Sequence, residues 1–116
     1  MKIRSLLLVA LLTCAALGLA APQAVAKNKV FTGAISDSAC GLHHMMAGAS
    51  AKKCTLECVG MGGKFVLADQ AAQKVYGLSD QTAARPYAGE NVQVTGTLKN
   101  GIIQVTSIQP LTKASK

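Results

Sequence analysis

The residues best suited to chemistry in this chain are three cysteines and a histidine: Cys40, His43, Cys54 and Cys58. Thiolate sulfur and imidazole nitrogen are ligands that Zn(II) accepts at tetrahedral geometry, and thiolates also suit Cu(I). Cys54 and Cys58 are four residues apart, so on a helix they lie on one face, one turn apart. Cys40 and His43, three residues apart, add a further thiol and an imidazole. The sequence therefore predicts a Cu or Zn site with these three thiols and one imidazole as its ligands.

Further soft donors lie in the same part of the sequence. The run His43-His44-Met45-Met46 stands between the cysteines, and Met61 follows the last of them. Because thioether sulfur suits Cu(I), these methionines are additional candidate ligands, and they slightly favour copper over zinc. In the alternative interpretation, the histidines are solvent-exposed loop residues and the methionines fill irregular gaps under a long loop.

Residues 1–26 have the pattern of a secretory signal peptide. Lys2 and Arg4 form a positive start, residues 5–21 are almost entirely apolar, and Ala24 and Ala26 are small residues at the two positions that a signal peptidase reads. The apolar run does not exceed the ~20 residues of a spanning helix, and no later run comes near that length, so no membrane span is predicted after removal of the signal. We expect a periplasmic or secreted protein with the mature chain 27–116.

Export makes a disulfide the main alternative to a metal. Small exported domains use disulfides to compensate for small cores, and each bridge contributes ~2–4 kcal/mol. With Cys14 assigned to the signal, one bridge from Cys40 to Cys54 or Cys58 leaves one thiol over. A redox-active dithiol is less favoured, because its usual signature is Cys-x-x-Cys. The rival hypothesis is therefore a disulfide-stapled structural or interaction module without metal, with an unknown protein partner.

Composition and motifs argue against several other functions. The chain has 12 Lys and Arg against 5 Asp and Glu, but no basic run exceeds Lys52-Lys53, which is typical of a solvated surface. Asp37 is interpreted as a turn residue after the first strand, and no catalytic constellation accompanies it, so an enzyme is not expected. Phe65 and Tyr76 are candidates for outward-facing rings, too few for the stacking platform of a nucleic-acid partner.

The elements that must position the cysteines follow from the hydrophobic periodicity. Five strands are predicted, at residues 30–36, 64–68, 74–78, 91–98 and 102–108. Asn100-Gly101 favours a type I′ turn between the last two strands. Gly33 and Gly96 lie inside strands, where glycine marks a tight bend or a close backbone approach.

The cysteines fall in a long segment between the first two strands, residues 37–63, which is predicted to be an insertion. Within it a helix is expected over 50–59, capped by Ser50, with Gly60 as a left-handed stop. A second, short helix is expected over 79–84. This order of elements predicts a mainly β fold, a small five-stranded OB-like barrel, with an open sandwich or meander as the alternative.

Four stretches of the mature chain carry a family resemblance. They are residues 35–43 (ISDSACGLH), 54–59 (CTLECV), 63–67 (GKFVL) and 87–96 (YAGENVQVTG). Together they resemble a family of short exported bacterial proteins classed as a domain of unknown function. The second half is also similar to small periplasmic OB-fold proteins, whose last strands share the pattern Gly-x-x-Val-x-Val-x-Gly. The resemblance implies export and an OB-like fold, and it implies no particular activity.

Overall fold

The computed structural model describes Gly18, residues 27–43 and residues 50–111. Its strands are β1 (Lys29–Asp37), β2 (Phe65–Asp69), β3 (Lys74–Leu78), β4 (Asn91–Lys99) and β5 (Ile102–Pro110). Its helices are α1 (Ala51–Gly60) and α2 (Gln81–Ala84), the latter followed by a 3-10 turn at Arg85–Tyr87. All five predicted strands and both predicted helices are therefore present. The predicted signal peptide lies outside the described residues apart from Gly18, as do His44, Met45 and Met46.

The five strands form one sheet that closes into a ring. The order around the ring is β1-β2-β3-β5-β4, and every neighbouring pair is antiparallel except β3 with β5. The parallel pair is short, joining Gly77 to Ile102 and Leu78 to Ile103. The prediction of a mainly β, five-stranded fold is thus confirmed, and the sheet is mixed. Among the described residues, no helix has both the length and the apolar character needed to cross a membrane.

The inside of the ring is filled by apolar side chains from all five strands, from α2 and from the turn that precedes β4. The buried cluster consists of Ile35, Phe65, Leu67, Leu78, Ala84, Ala88, Val92, Val94 and Ile103. Phe65 was a candidate for an outward-facing ring, and that expectation is wrong. Phe65 is the first residue of β2, and its side chain lies in the core with 1% of its surface exposed. Tyr76 is half-buried, with its ring centroid 5.3 Å from that of Phe31. Both aromatic side chains therefore contribute to packing.

Gly33 and Gly96 stand where two backbones approach closely. A Cβ atom at Gly33 would lie 2.5 Å from the carbonyl oxygen of Ala68, and one at Gly96 would overlap the carbonyl oxygen of Gln104. The pairing of β4 with β5 also shifts register between Thr95 and Gly96. Glycine at these positions allows the strands to bend around the ring, as the sequence predicts.

We expect Gly96→Val to lower the free energy of unfolding by about 1–3 kcal/mol, because the new side chain must displace the backbone of β5. Urea unfolding in the presence of a chelator measures this effect without a contribution from bound metal. Thr97→Val serves as the control, because it introduces the same residue at the next position of β4 in place of a side chain of nearly the same shape. It is expected to change the free energy of unfolding by less than about 0.5 kcal/mol. Equal unfolding midpoints for the two variants would contradict the close approach.

Of the two positions where positive φ angles were predicted, one is confirmed and the other is wrong. Asn100 and Gly101 have φ values of 51° and 77°, as a type I′ turn requires. The left-handed stop predicted at Gly60 is wrong, because the positive φ of 105° occurs at Gly62. The backbone N–H of Met61 still donates to the carbonyl of Glu57 at 3.0 Å, so the helical bonding continues past Gly60 before the chain reverses.

Candidate metal centre

The candidate site begins at the last residue of β1, where the chain turns away from the ring. Asp37 is fully buried, and its Oδ1 atom accepts hydrogen bonds from the backbone N–H groups of Ala39 (3.0 Å) and Cys40 (2.9 Å). The N–H of Gly41, which has a φ of 58°, donates to the Asp37 carbonyl at 2.8 Å. This Asx turn holds Cys40 next to the Asp37 side chain.

Helix α1 supplies the other two cysteines. Its first turn is capped by Ser50, whose Oγ atom accepts a hydrogen bond from the Lys53 N–H at 3.1 Å. Cys54 is fully buried and Cys58 is half-buried, one helical turn further along. Leu56 and Val59 pack against the core of the ring. The spacing of four residues therefore places both thiols on one face of the helix, as the sequence predicts.

The turn and the helix together form the carboxylate-thiol cluster, which consists of Asp37, Cys40, Cys54 and Cys58. One carboxylate oxygen and three Sγ atoms lie within 4.8 Å of one another. The Sγ atoms of Cys40 and Cys54 are 3.8 Å apart. Around a tetrahedral ion with metal–sulfur bonds of about 2.3 Å, two sulfur ligands are separated by about 3.8 Å. This pair therefore already has the spacing of two ligands of one ion.

The same distance shows that the two sulfurs are not joined by a covalent bond. A disulfide requires a sulfur–sulfur distance of about 2.05 Å. In the ranges 27–43 and 50–111, no disulfide is formed between any of the cysteines. The predicted bridge from Cys40 to Cys54 or Cys58 is therefore not present in this state of the protein.

The second oxygen of Asp37 lies in surroundings that favour a positively charged partner. Oδ2 is buried and accepts no hydrogen bond from the part of the chain that the structure describes. An ionised carboxylate in such a place is unfavourable unless a hydrogen-bond donor or a positive charge compensates it. Its neighbours in the cluster are thiols, which are weak donors. A metal ion held by the four side chains would supply the missing positive charge.

The structure brings three of the four predicted ligands together. His43 is exposed and does not belong to the carboxylate-thiol cluster, and its backbone N–H donates to the carbonyl of Cys40 at 3.1 Å. Met61 is 77% exposed. Asp37 is the last residue of β1, and its side chain accepts the hydrogen bonds of the turn that was predicted after this strand, but the sequence interpretation missed it as a candidate ligand. The spacing Asp-x-x-Cys is the signal that could have found it, because an Asx turn brings its own carboxylate close to the third residue after it.

Burial raises the pKa of the Cys58 thiol from 9.0 to about 12. Burial is the largest cause of this increase in pKa, and the negative charge of the Asp37 carboxylate and a hydrogen bond with the Cys40 side chain also contribute to it. This thiol is therefore protonated at neutral pH in the metal-free protein. Because thiolate is the form that binds metal, uptake of an ion must release this proton.

We expect the free energy of unfolding of the metal-free protein to fall as the pH rises from about 9 to about 12. Over this interval the folded protein keeps the Cys58 proton while the unfolded chain loses it, so deprotonation favours the unfolded state. Below the lower value both states are protonated and the contribution is constant. Urea unfolding at a series of pH values should show a larger loss for the wild type than for Cys58→Ser. Parallel pH profiles would contradict the raised pKa.

Comparison of the chain with protein-family models, with curated proteins and with solved structures finds no match in any of the three. The function is therefore inferred from the geometry of the carboxylate-thiol cluster and from the chemistry of its donor atoms.

Proposed function

We propose that the protein is an exported metal-binding protein that holds one Zn(II) or Cu(I) ion in the carboxylate-thiol cluster. The observation that carries this proposal is the convergence of three sulfurs and one buried carboxylate within 4.8 Å. Four protein donors complete a tetrahedral coordination shell and leave no open position for a substrate, which is typical of structural rather than catalytic sites. The function proposed is accordingly binding of the ion, with no chemical reaction at it.

The donor set favours Zn(II) over Cu(I). Carboxylate oxygen is an ordinary zinc ligand, whereas Cu(I) is selected by thiolate and thioether sulfur. The thioether of Met61 lies on an exposed side chain outside the cluster. A dication also offsets more of the negative charge of three thiolates and a carboxylate than a monovalent ion does. We therefore take zinc as the ion for the first binding experiments and copper as the competitor.

The scaffold and the location of the protein form part of the same proposal. We infer that the ring is an OB-like barrel whose first loop has expanded to carry the carboxylate-thiol cluster, and that the chain belongs to the exported family that it resembles. The element order supports this, with three strands, a short helix and two strands, and with the insertion between β1 and β2. The signal-like residues 1–26 support a periplasmic or secreted location.

A second candidate function is a disulfide-stapled interaction module without metal. The observation that favours it is the distance of 3.8 Å between the sulfurs of Cys40 and Cys54, which small side-chain movements would close. The two candidates differ in one measurement. A metal-binding protein contains one ion and three reduced thiols, whereas a stapled module contains no ion and has lost ~2 Da to the bridge.

The proposal is tested by measuring metal content and reduced thiols on the same sample, with paired variants at the two candidates for the fourth ligand. Asp37→Asn keeps an oxygen that can accept the two hydrogen bonds of the turn, so it removes the ligand charge while preserving the local fold. We expect it to weaken zinc affinity by at least about 10-fold. His43→Ala, at an exposed position outside the cluster, is expected to leave the affinity unchanged.

Two results would count against this assignment. A loss of affinity in His43→Ala with none in Asp37→Asn would assign the fourth ligand to the histidine. A wild-type protein with all three thiols reduced and no uptake of zinc or copper would exclude the metal site itself.

A further inference from the structure

We propose that the carboxylate-thiol cluster is a redox switch, in which a disulfide oxidant joins Cys40 to Cys54 and thereby releases the bound ion. This inference rests on the proposed function, because it concerns regulation of the same site. Three observations carry it, namely the short distance between these two sulfurs, their positions on separate elements and their different exposure to solvent.

The geometry selects this pair of cysteines. Their sulfurs are 3.8 Å apart and must approach by about 1.8 Å to form a bond. Cys40 lies on the turn after β1, whereas Cys54 lies in α1, so the movement can be taken up by the turn. Cys54 and Cys58 share one helix, where backbone hydrogen bonding restricts how far either can shift. A bridge from Cys40 to a cysteine of α1 therefore requires less distortion of regular structure than a bridge within the helix, and the 3.8 Å separation makes Cys54 the partner in the proposed bridge.

Exposure sets the order of the two chemical steps. Cys54 is fully buried, so an oxidant in solution cannot reach it first, whereas Cys40 is half-buried at the surface turn. The Cys40 thiolate attacks one sulfur of the oxidant's disulfide, forms a mixed disulfide and displaces the other oxidant sulfur as a thiolate. The Cys54 thiolate then attacks the Cys40 sulfur, forms the internal bridge and displaces the second oxidant sulfur.

The electrons and ligands balance in a simple way. The two protein sulfurs together lose two electrons, and the oxidant gains them and becomes two thiols after taking up two protons from water. Of the carboxylate-thiol cluster, only Asp37 and Cys58 remain as donors. Since zinc sites of this type use four protein ligands, two are too few to retain the ion. The ion and the bridge therefore exclude each other.

The sequence allows the bridge to be mapped without ambiguity. Trypsin separates Cys40, in residues 30–52, from Cys54 and Cys58, which share residues 54–64. Cleavage after Glu57 by a glutamyl endopeptidase then separates Cys54 from Cys58. Cys14 falls in the separate tryptic peptide 5–27. Every pairing of the cysteines thus gives a cross-linked product of distinct mass.

The experiment begins with the reduced full chain loaded with zinc, treated with oxidised glutathione while a chromophoric chelator records zinc release. We expect one equivalent of zinc to appear together with a cross-link between the peptides that contain Cys40 and Cys54. In the metal-free protein, Cys58→Ser keeps both reacting cysteines and is expected to form the same cross-link. Metal-free Cys40→Ser lacks the cysteine that reacts first with the oxidant, so its buried Cys54 is expected to stay reduced under the same treatment.

The outcomes separate the two proposals. If the reduced wild type takes up neither zinc nor copper, the proposed function fails, and with it the switch. If it binds zinc but keeps the ion while the bridge forms, the switch alone is overturned. The switch is also overturned if zinc leaves without a bridge, if the bridge joins a different pair, or if the thiols of the loaded protein resist the oxidant completely.

Discussion

Replacement of Cys54 by serine is expected to abolish zinc binding, with a loss of affinity of roughly 100-fold or more. Cys54 is the fully buried cysteine of the carboxylate-thiol cluster and lies 3.8 Å from the sulfur of Cys40. A serine hydroxyl has nearly the size of the thiol but remains protonated at neutral pH and is a poor ligand. Loss of groups that only orient a ligand already lowers metal affinity by about 10–100-fold, so loss of a ligand itself should reach at least the upper end of that range.

The neighbouring residue provides a matched control for this variant. Thr55 is also fully buried on α1, and its hydroxyl has no hydrogen-bond partner among the described residues. Thr55→Val preserves the shape of the side chain and removes that unsatisfied group, so it should keep full zinc affinity without loss of stability. Competition against a chelator of known affinity measures both variants. Normal binding by Cys54→Ser, or a comparable loss in Thr55→Val, would contradict the assignment of Cys54 as a ligand.

Removal of the ion is expected to lower the melting temperature of the wild type by about 10–30 °C. A ligand at 100 to 1,000 times its dissociation constant stabilises the folded state by about 2.7–4.1 kcal/mol. For a domain of this size, each kcal/mol changes the melting temperature by about 4–8 °C. We expect a large effect because a bound ion would join the end of β1 to α1 in the folded protein and would be absent from the unfolded chain.

Thermal unfolding with and without a chelator measures this shift. The Cys54→Ser protein controls for direct effects of the chelator, since its melting temperature should be the same in both conditions. Coincident transitions for a wild type that has been shown to carry one ion would contradict the proposed contribution of the site to stability.

The sequence was most informative where a local pattern determines the structure. The alternation through Val92 and Val94, followed by Asn100-Gly101, defined the hairpin of β4 and β5, because side-chain period and turn conformation are local properties. Ser50 and the spacing of Cys54 and Cys58 similarly defined α1 and its cysteine face.

The features that the sequence did not predict depend on contacts between distant segments. The spacing Asp-x-x-Cys places Asp37 beside Cys40, but a cluster with Cys54 and Cys58 also requires the end of β1 to lie beside α1, which no local pattern encodes. Asp37 also has two carboxylate oxygens. The sequence interpretation considered only its role in the turn, which uses Oδ1, and did not consider Oδ2 as a metal ligand. Phe65 was ambiguous for a related reason, because nearly all of β2 is buried and its alternation gives no inward and outward side.

The turn before β4 contacts both elements that carry the cluster, β1 and α1. The N–H of Gly89 donates to the carbonyl of Ile35 at 2.8 Å, two residues before Asp37, and the N–H of Ile35 donates to the carbonyl of Glu90 at 2.9 Å. A Cβ atom at Gly89 would overlap the backbone of Lys52 at the start of α1. The missing side chain at Gly89 therefore allows the start of α1 to lie close to the turn that is hydrogen-bonded to β1. The space available to an ion between the carboxylate and the sulfurs would thus depend in part on a residue that offers no ligand atom to it.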